Sequence, residues 1–326
     1  MSEEISYREV IARAIADELE SDPDVLLIGE DVGAAGGAFK STVGLFDRFG
    51  GRRVRDTPIS EQAIVGAALG AALMGLRPIA EIMFADFAGV CFDQIANQLA
   101  KYRYMTNGQA HVPVTIRMAN GAGAGFGAQH SQAAENWFLN IPGVKIAVPG
   151  TVEDLYGLLR SAVRDENPVI VFEHKNLFGL KGQLPDPGDV VPLGAAAVVR
   201  PGHDVTVVAT QQMRHRAVEA AERLALTGVE VEVIDPRTLV PFDLDTVVTS
   251  LSKTARLLVV EECPFGGSWG ATLVARLVTD HFDLFDAPPT IASSPDTPVP
   301  YSGALEEAWL PSTDDVVDAA TRLAAY

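Results

Sequence analysis

The feature that most constrains this fold is an alternation: short runs rich in Val, Ile and Leu recur along the chain, each separated from the next by a stretch with helical spacing. In the first half the runs are VLLIGED (25–31), RVRDTPI (53–59), RPIAEIMF (77–84), VPVTIRM (112–118), VKIAVPG (144–150) and PVIVFEH (168–174). In the second they are DVTVVAT (204–210), VEVEVID (229–235), ARLLVVEE (255–262) and PTIASS (289–294), with helices expected near 213–226 and 268–282. Near-continuous apolar strands suit a parallel sheet covered by helices on both faces. Both halves therefore read as α/β, doubly wound. Between them GQLPDPGDVVPLG (182–194) is rich in Pro and Gly and has no periodicity, which places a boundary there. We expect domains at 1–185 and 186–326, because 326 residues exceed one ordinary core. Ser6 with Glu9 and Thr151 with Asp154 have capping-box spacing, and Ser60 stands where it can cap a helix beginning at Glu61.

Charge excludes several function classes. A net charge of −18, from 25 basic and 43 acidic residues, would repel a phosphate backbone or an anionic membrane. A basic protein surface would be attracted. No run of about 18 uninterrupted apolar residues occurs, and the start MSEEISYREV lacks a basic stretch followed by an apolar one. The expectation is a cytoplasmic protein. Cys91 and Cys263 are too far apart and too apolar in context to suggest a disulfide framework or a metal set.

Two stretches carry candidate chemistry. In TPISEQAIVGAALGAALMG (57–75) one acid, Glu61, opens an Ala, Gly and aliphatic helix, with no Lys or Arg before Arg77. The helix dipole stabilises a first-turn acid by about 0.3–1 kcal/mol. It does not explain the apolar surround of Ile59, Ile64 and Val65, nor Gly66 and Gly70, whose spacing lets another helix approach. A carboxylate in such a place is costly unless a partner hydrogen-bonds it, and that partner can be a ligand. The second stretch is RMANGAGAGFGAQHSQ (117–132), a glycine run after a strand. Its glycines alternate at 121, 123, 125 and 127, so it misses the dinucleotide spacing, and no G-K-[ST] occurs. His130 at its end shares no metal-ligand spacing with the other five histidines. It could equally be structural or a proton-transfer group.

Taken together, LLIGEDVG, GGAFKSTVGLFDRFG, RVRDTPISEQAIVGAALGAALMGLRPIAE, FDQIANQLAKYRYM, GAQHSQ, IPGVKIAVPGT, DPRTLVPFD and DTPVPYS resemble one family. It is the beta subunit of the thiamine-diphosphate-dependent component of 2-oxo acid dehydrogenase complexes, with pyruvate, branched-chain and acetoin members. The resemblance runs from about Leu26 to the C-terminus. It implies a thiamine-diphosphate pyrimidine-binding domain followed by a transketolase C-terminal-like domain. It implies that Glu61 hydrogen-bonds the aminopyrimidine ring nitrogen, that Phe87 stacks on the ring with Met83 close by, and that Glu30 lies at the cofactor. His130 is implied as an active-site histidine, assisting proton transfer or acyl transfer to lipoamide. A monovalent cation site, for potassium, is implied at Val114, Ala162 and Val163, with Asp165 and Asn167.

The chain lacks the G-D-G motif that holds magnesium and diphosphate in thiamine enzymes. The resemblance therefore implies an alpha subunit supplying the Mg2+ half of the site in an α2β2 heterotetramer. It further implies docking on a dihydrolipoyl acyltransferase core through Asp286 and the carboxylate of Tyr326. The reaction implied is oxidative decarboxylation of a 2-oxo acid, pyruvate first, with acetoin or branched-chain substrates as alternatives. EIMFADFAGVCFDQ and DPRTLVPFD lean toward the acetoin type, whereas ATQQMRH and EECPFGGSWG depart from the family's usual forms in the second domain. A non-catalytic regulatory or assembly subunit is the alternative from another class, and retention of Glu61 and His130 speaks against it.

Overall fold

The structure, a computed structural model, describes residues 4–326. These residues divide into two compact units. One is formed by the chain up to Asn120 together with Trp137–Leu193, the other by Gly121–Asn136 together with Gly194–Tyr326. No single cut of the chain separates them.

In the first unit β1 (Glu4–Ser6) leads into α1 (Tyr7–Ser21), followed by β2 (Val25–Gly29), α2 (Leu45–Phe49), β3 (Val54–Asp56), α3 (Glu61–Leu73) and β4 (Arg77–Phe84). Then come α4 (Ala88–Asp93), a π-helical stretch Gln94–Leu99, α5 (Ala100–Met105), β5 (Thr115–Asn120), β6 (Lys145–Ala147), α6 (Val152–Arg164), β7 (Val169–His174) and β8 (Lys181–Gln183). The strands expected from the apolar runs pair in parallel in the order β6-β7-β5-β4-β2-β3. Every residue of β5 and β7 is buried, as strands covered on both faces must be. Tyr7, Ile11, Ile15 and Leu19, spaced by four along α1, meet Val152, Leu155 and Leu159 of α6 in one core. Each such side chain contributes roughly 1.5–3 kcal/mol on burial. Within this packing Glu18, 2% exposed, accepts from Arg160 at 2.6 Å and Arg164 at 2.8 Å, so no charge is buried unpaired.

The helix starts divide. Ser6 and Glu9 form a complete capping box, and Thr151 Oγ accepts the Asp154 N–H. Ser60 makes no side-chain cap. At φ −163° and ψ 82° its backbone departs from cap geometry, and only its carbonyl joins the helix, accepting from Ile64 N–H at 3.0 Å. Gly66 does face another element, with the Gln94 side chain 3.4 Å from where a Cβ would stand, but Gly70 faces nothing within 4 Å.

The second unit contains β9 (Ala197–Arg200), β10 (Val205–Ala209), α7 (Gln211–Ala225), β11 (Val231–Asp235), β12 (Thr238–Val240) and α8 (Leu244–Thr254). It continues with β13 (Leu257–Pro264), α9 (Trp269–Asp280), β14 (Thr290–Ser294), α10 (Gly303–Trp309) and α11 (Thr313–Ala324). Its sheet runs β14-β13-β10-β11-β9, parallel except for the antiparallel edge strand β9. Val205, Val207, Val233 and Leu258 pack against Met213, Ala217 and Ala221 of α7 and Val316 and Ala320 of α11. Among the described residues no helix is long and apolar enough to cross a membrane.

Candidate active site

The residues singled out for the cofactor lie at or just beyond the carboxyl ends of β2, β3 and β4 in the first unit. Ligands of open α/β sheets bind at this end, because the turns there leave a crevice. Glu30 directly follows β2, Glu61 opens α3, Met83 is the penultimate residue of β4, and Phe87 ends the 3-10 turn Ala85–Phe87. Glu61 is 8% exposed, yet among the described residues no hydrogen bond or ion pair reaches its carboxylate. Its charge acts on two neighbours. Burial, then Asp31, then Glu61 push the Glu30 carboxyl above its ordinary range. Burial and Glu61 push the Cys91 thiol up to about 12, so this cysteine stays protonated. Phe87 and Met83 are half-buried, and Phe87 meets Phe84 edge to face, 5.4 Å between ring centres.

Beneath these residues lies a cluster that the sequence reading missed. Arg117 of β5 pairs with Glu81 of β4 and, at 2.7 Å through both Nε and a terminal nitrogen, with Glu173 of β7. Its remaining contact is Ser41 Oγ at 3.1 Å. All four residues are buried. Glu81 stands opposite Arg117 in the β4–β5 register. One guanidinium thus ties three strands to the loop after β2. Burial raises both carboxyls despite Arg117. Burial also works against the Arg117 charge, but Glu173 and Glu81 outweigh it and hold its proton. Charged residues at matched positions inside otherwise apolar strands were the available signal.

His130 belongs to the second unit, on the loop that contains the four alternating glycines. Gly121, Gly123, Gly125 and Gly127 hold φ of +85°, +93°, +77° and +74°, which explains why glycine is needed at each. Gly121 N–H donates to Gln132 O at 3.3 Å, closing the loop, and His130 N–H donates to Gly127 O at 3.2 Å. The imidazole is half-buried. Ala122 N–H donates to Glu262 at 2.8 Å, and Gly123 and Gly125 N–H donate to the two oxygens of Glu306. Carboxylates already serve these amides, so the loop is no phosphate cradle, in agreement with its failed dinucleotide spacing.

The oxygens implied for a monovalent cation lie in the first unit, and the chain answers them itself. Val114 O accepts from Val169 N–H, and Ala162 O from Asp165 N–H. Arg77 donates to Val163 O and Asp165 O, both at 3.3 Å, and Arg103 donates to Asn167 Oδ1 at 2.9 Å. Burial alone would raise the Asp165 carboxyl, but Lys145 and Asn167 hold it below its usual range. Among the described residues no cluster of three or more His, Cys, Asp or Glu could hold a metal ion. Asp286 and Tyr326 are exposed, the latter 69%, on the second unit.

Two known families match successive parts of the chain. Residues 3–181 match the family described as "Transketolase, pyrimidine binding domain", and residues 194–316 match "Transketolase, C-terminal domain". Within that class, the chain belongs to the family of oxidoreductase beta subunits found in acetoin and pyruvate dehydrogenase systems. It is 46% identical to the beta subunit of acetoin:2,6-dichlorophenolindophenol oxidoreductase of Cupriavidus necator, over 99% of this chain and 98% of that one. The Bacillus subtilis protein of the same name is also 46% identical, with the same coverage. Pyruvate dehydrogenase E1 component subunit beta-2, chloroplastic, of Arabidopsis thaliana is 42% identical over 98% of this chain and 79% of its own length. A solved split-gene transketolase, an inactive beta4 tetramer, shares the fold with a TM-score of 0.82 at 24% identity, covering 98% of this chain and 99% of that one.

Proposed function

We propose that this chain is the beta subunit of a thiamine-diphosphate-dependent oxidoreductase that cleaves the bond beside a keto carbon and passes the acyl unit to lipoamide. Acetoin is the substrate favoured by the relatives at 46% identity, and pyruvate or a branched-chain 2-oxo acid is the alternative. In this reading residues 1–185 form the pyrimidine-binding domain and 186–326 the transketolase C-terminal-like domain.

The observation that carries the proposal is Glu61, a buried carboxylate without a partner at the carboxyl end of a parallel sheet. Such a group is stable only if something supplies a proton or a donor to it. A protonated pyrimidine nitrogen does so, and the residues present fit it: Glu61 would accept its hydrogen bond, Phe87 would offer a ring to stack on, and Met83 and Glu30 would complete the wall. Thiamine diphosphate, when bound, supplies the carbon nucleophile and the electron sink. Glu61 would then hold a proton at the ring nitrogen. Cys91, kept as a thiol, does not compete for that nitrogen. His130 handles a proton on the substrate side or during acyl transfer.

The missing G-D-G motif supports an alpha subunit that brings Mg2+ and the diphosphate site, as an α2β2 heterotetramer. Exposed Asp286 and Tyr326 and the acidic balance support docking on a basic surface of an acyltransferase core. Potassium at Val114, Ala162, Val163, Asp165 and Asn167 has the oxygen set in its favour and Arg77 against it, so no step passes through it. Glu61→Gln, assembled with the alpha subunit, should slow hydrogen exchange at the reactive carbon of bound thiamine diphosphate by about 100-fold or more, leaving assembly unchanged. Unaltered exchange in that variant rejects the assignment.

A further inference from the structure

Glu306 is a buried acid that the proposed reaction does not use. It is 2% exposed on α10, and its two oxygens accept Gly123 N–H at 2.8 Å and Gly125 N–H at 2.9 Å. Glu262, at 7% exposure on β13, accepts Ala122 N–H at 2.8 Å. Positive φ at every second residue of the loop alternates the hand of the backbone. Alternation of this kind turns successive amides toward one side and creates a concavity suited to an anion. Here the anion is part of the chain, bound from 183 positions away in sequence. α10 is itself fixed, because Trp309 Nε1 donates to Thr297 O at 3.1 Å and Trp309 is in the core. Four glycines would otherwise leave the loop large conformational freedom. A planar carboxylate that takes two amides at once removes much of it, immediately before His130.

We propose that Glu306 is a positioning residue for His130: its carboxylate seats in the amide concavity and holds the glycine loop in the conformation that presents the imidazole. This rests on His130 being the proton-handling group. A side-chain amide is the sharpest probe, since its NH2 would oppose one of the two backbone N–H groups, whereas an aspartate keeps both acceptors on a shorter arm.

The test compares Glu306→Gln, Glu306→Asp and His130→Ala, each assembled with the alpha subunit. For Glu306→Gln the amides of Gly123 and Gly125 should exchange with deuterium about tenfold faster or more. Its kcat should fall about tenfold or more while KM and thiamine diphosphate affinity stay within about twofold. Glu306→Asp should recover part of kcat. A purely structural role would instead lower assembly and cofactor affinity together. Retained amide protection or retained kcat in Glu306→Gln, beside an inactive His130→Ala, overturns the positioning role. A fully active His130→Ala overturns the reading of His130, and the positioning role with it. Should Glu306→Gln fail to assemble, Glu306→Asp decides: faster exchange with reduced kcat supports the role, and wild-type values of both overturn it.

Discussion

At the scale of residues, the molecule places its acids in two different situations. Glu61, at the start of α3, has no hydrogen bond or ion pair among the described residues, whereas Glu261 of β13 is enclosed. Glu261 is 1% exposed. One oxygen accepts Gly270 N–H at 3.0 Å, and the other has no hydrogen-bond partner. Burial, with a smaller push from Glu135 and against the Ser268 and Gly270 hydrogen bonds, raises its carboxyl to about 7 from an ordinary 4.5. A raised folded-state value means that the stability this group contributes is full below about pH 4.5 and is lost as pH rises through about 7. The loss is on the order of 3 kcal/mol. Thermal unfolding of Glu261→Gln against wild type across pH 4.5–8 should therefore show the variant's relative stability rising with pH. Parallel curves would mean that Glu261 is ionised throughout.

At the scale of elements, the strands were legible because β-branched runs in a parallel sheet need no alternation to be recognised. The cap at α1 was legible from Ser6 and Glu9 because both halves of a capping box are local in sequence. Ser60 precedes α3 without an acid at the third helical position, where Ala63 stands, and with φ −163° and ψ 82° it is not a cap. Ser6→Ala should thus cost about 1 kcal/mol in chemical denaturation, and Ser60→Ala only a few tenths. Equal losses would contradict this assignment. Less legible was β9, an antiparallel edge strand whose LGAAAVVR context gives a weak apolar signal. The destination of the glycine loop was not legible at all. Its ties to Glu262 and Glu306 span 140 and 183 positions, and no local pattern encodes contacts of that range. For the same reason its membership of the second unit has no local signal in the sequence.

At the scale of the whole molecule, the Arg117 cluster and Glu61 belong to one compact unit, and His130 with its Glu306 anchor to the other. Family membership accounts for both units, and the relatives in that family are named as beta subunits. The chain has no G-D-G motif, and among its described residues no cluster of three or more His, Cys, Asp or Glu that could hold a metal ion. The proposal of acetoin ahead of pyruvate rests on identities of 46% and 42% to the two kinds of relative, in the same direction as the EIMFADFAGVCFDQ segment. The central claim, that this chain holds half of a shared thiamine diphosphate site, is tested most directly by calorimetric titration of thiamine diphosphate with Mg2+ into the isolated chain and into its complex with the alpha subunit. The structure predicts tight, saturable binding by the complex and none by the chain alone. Tight binding by the isolated chain would contradict it.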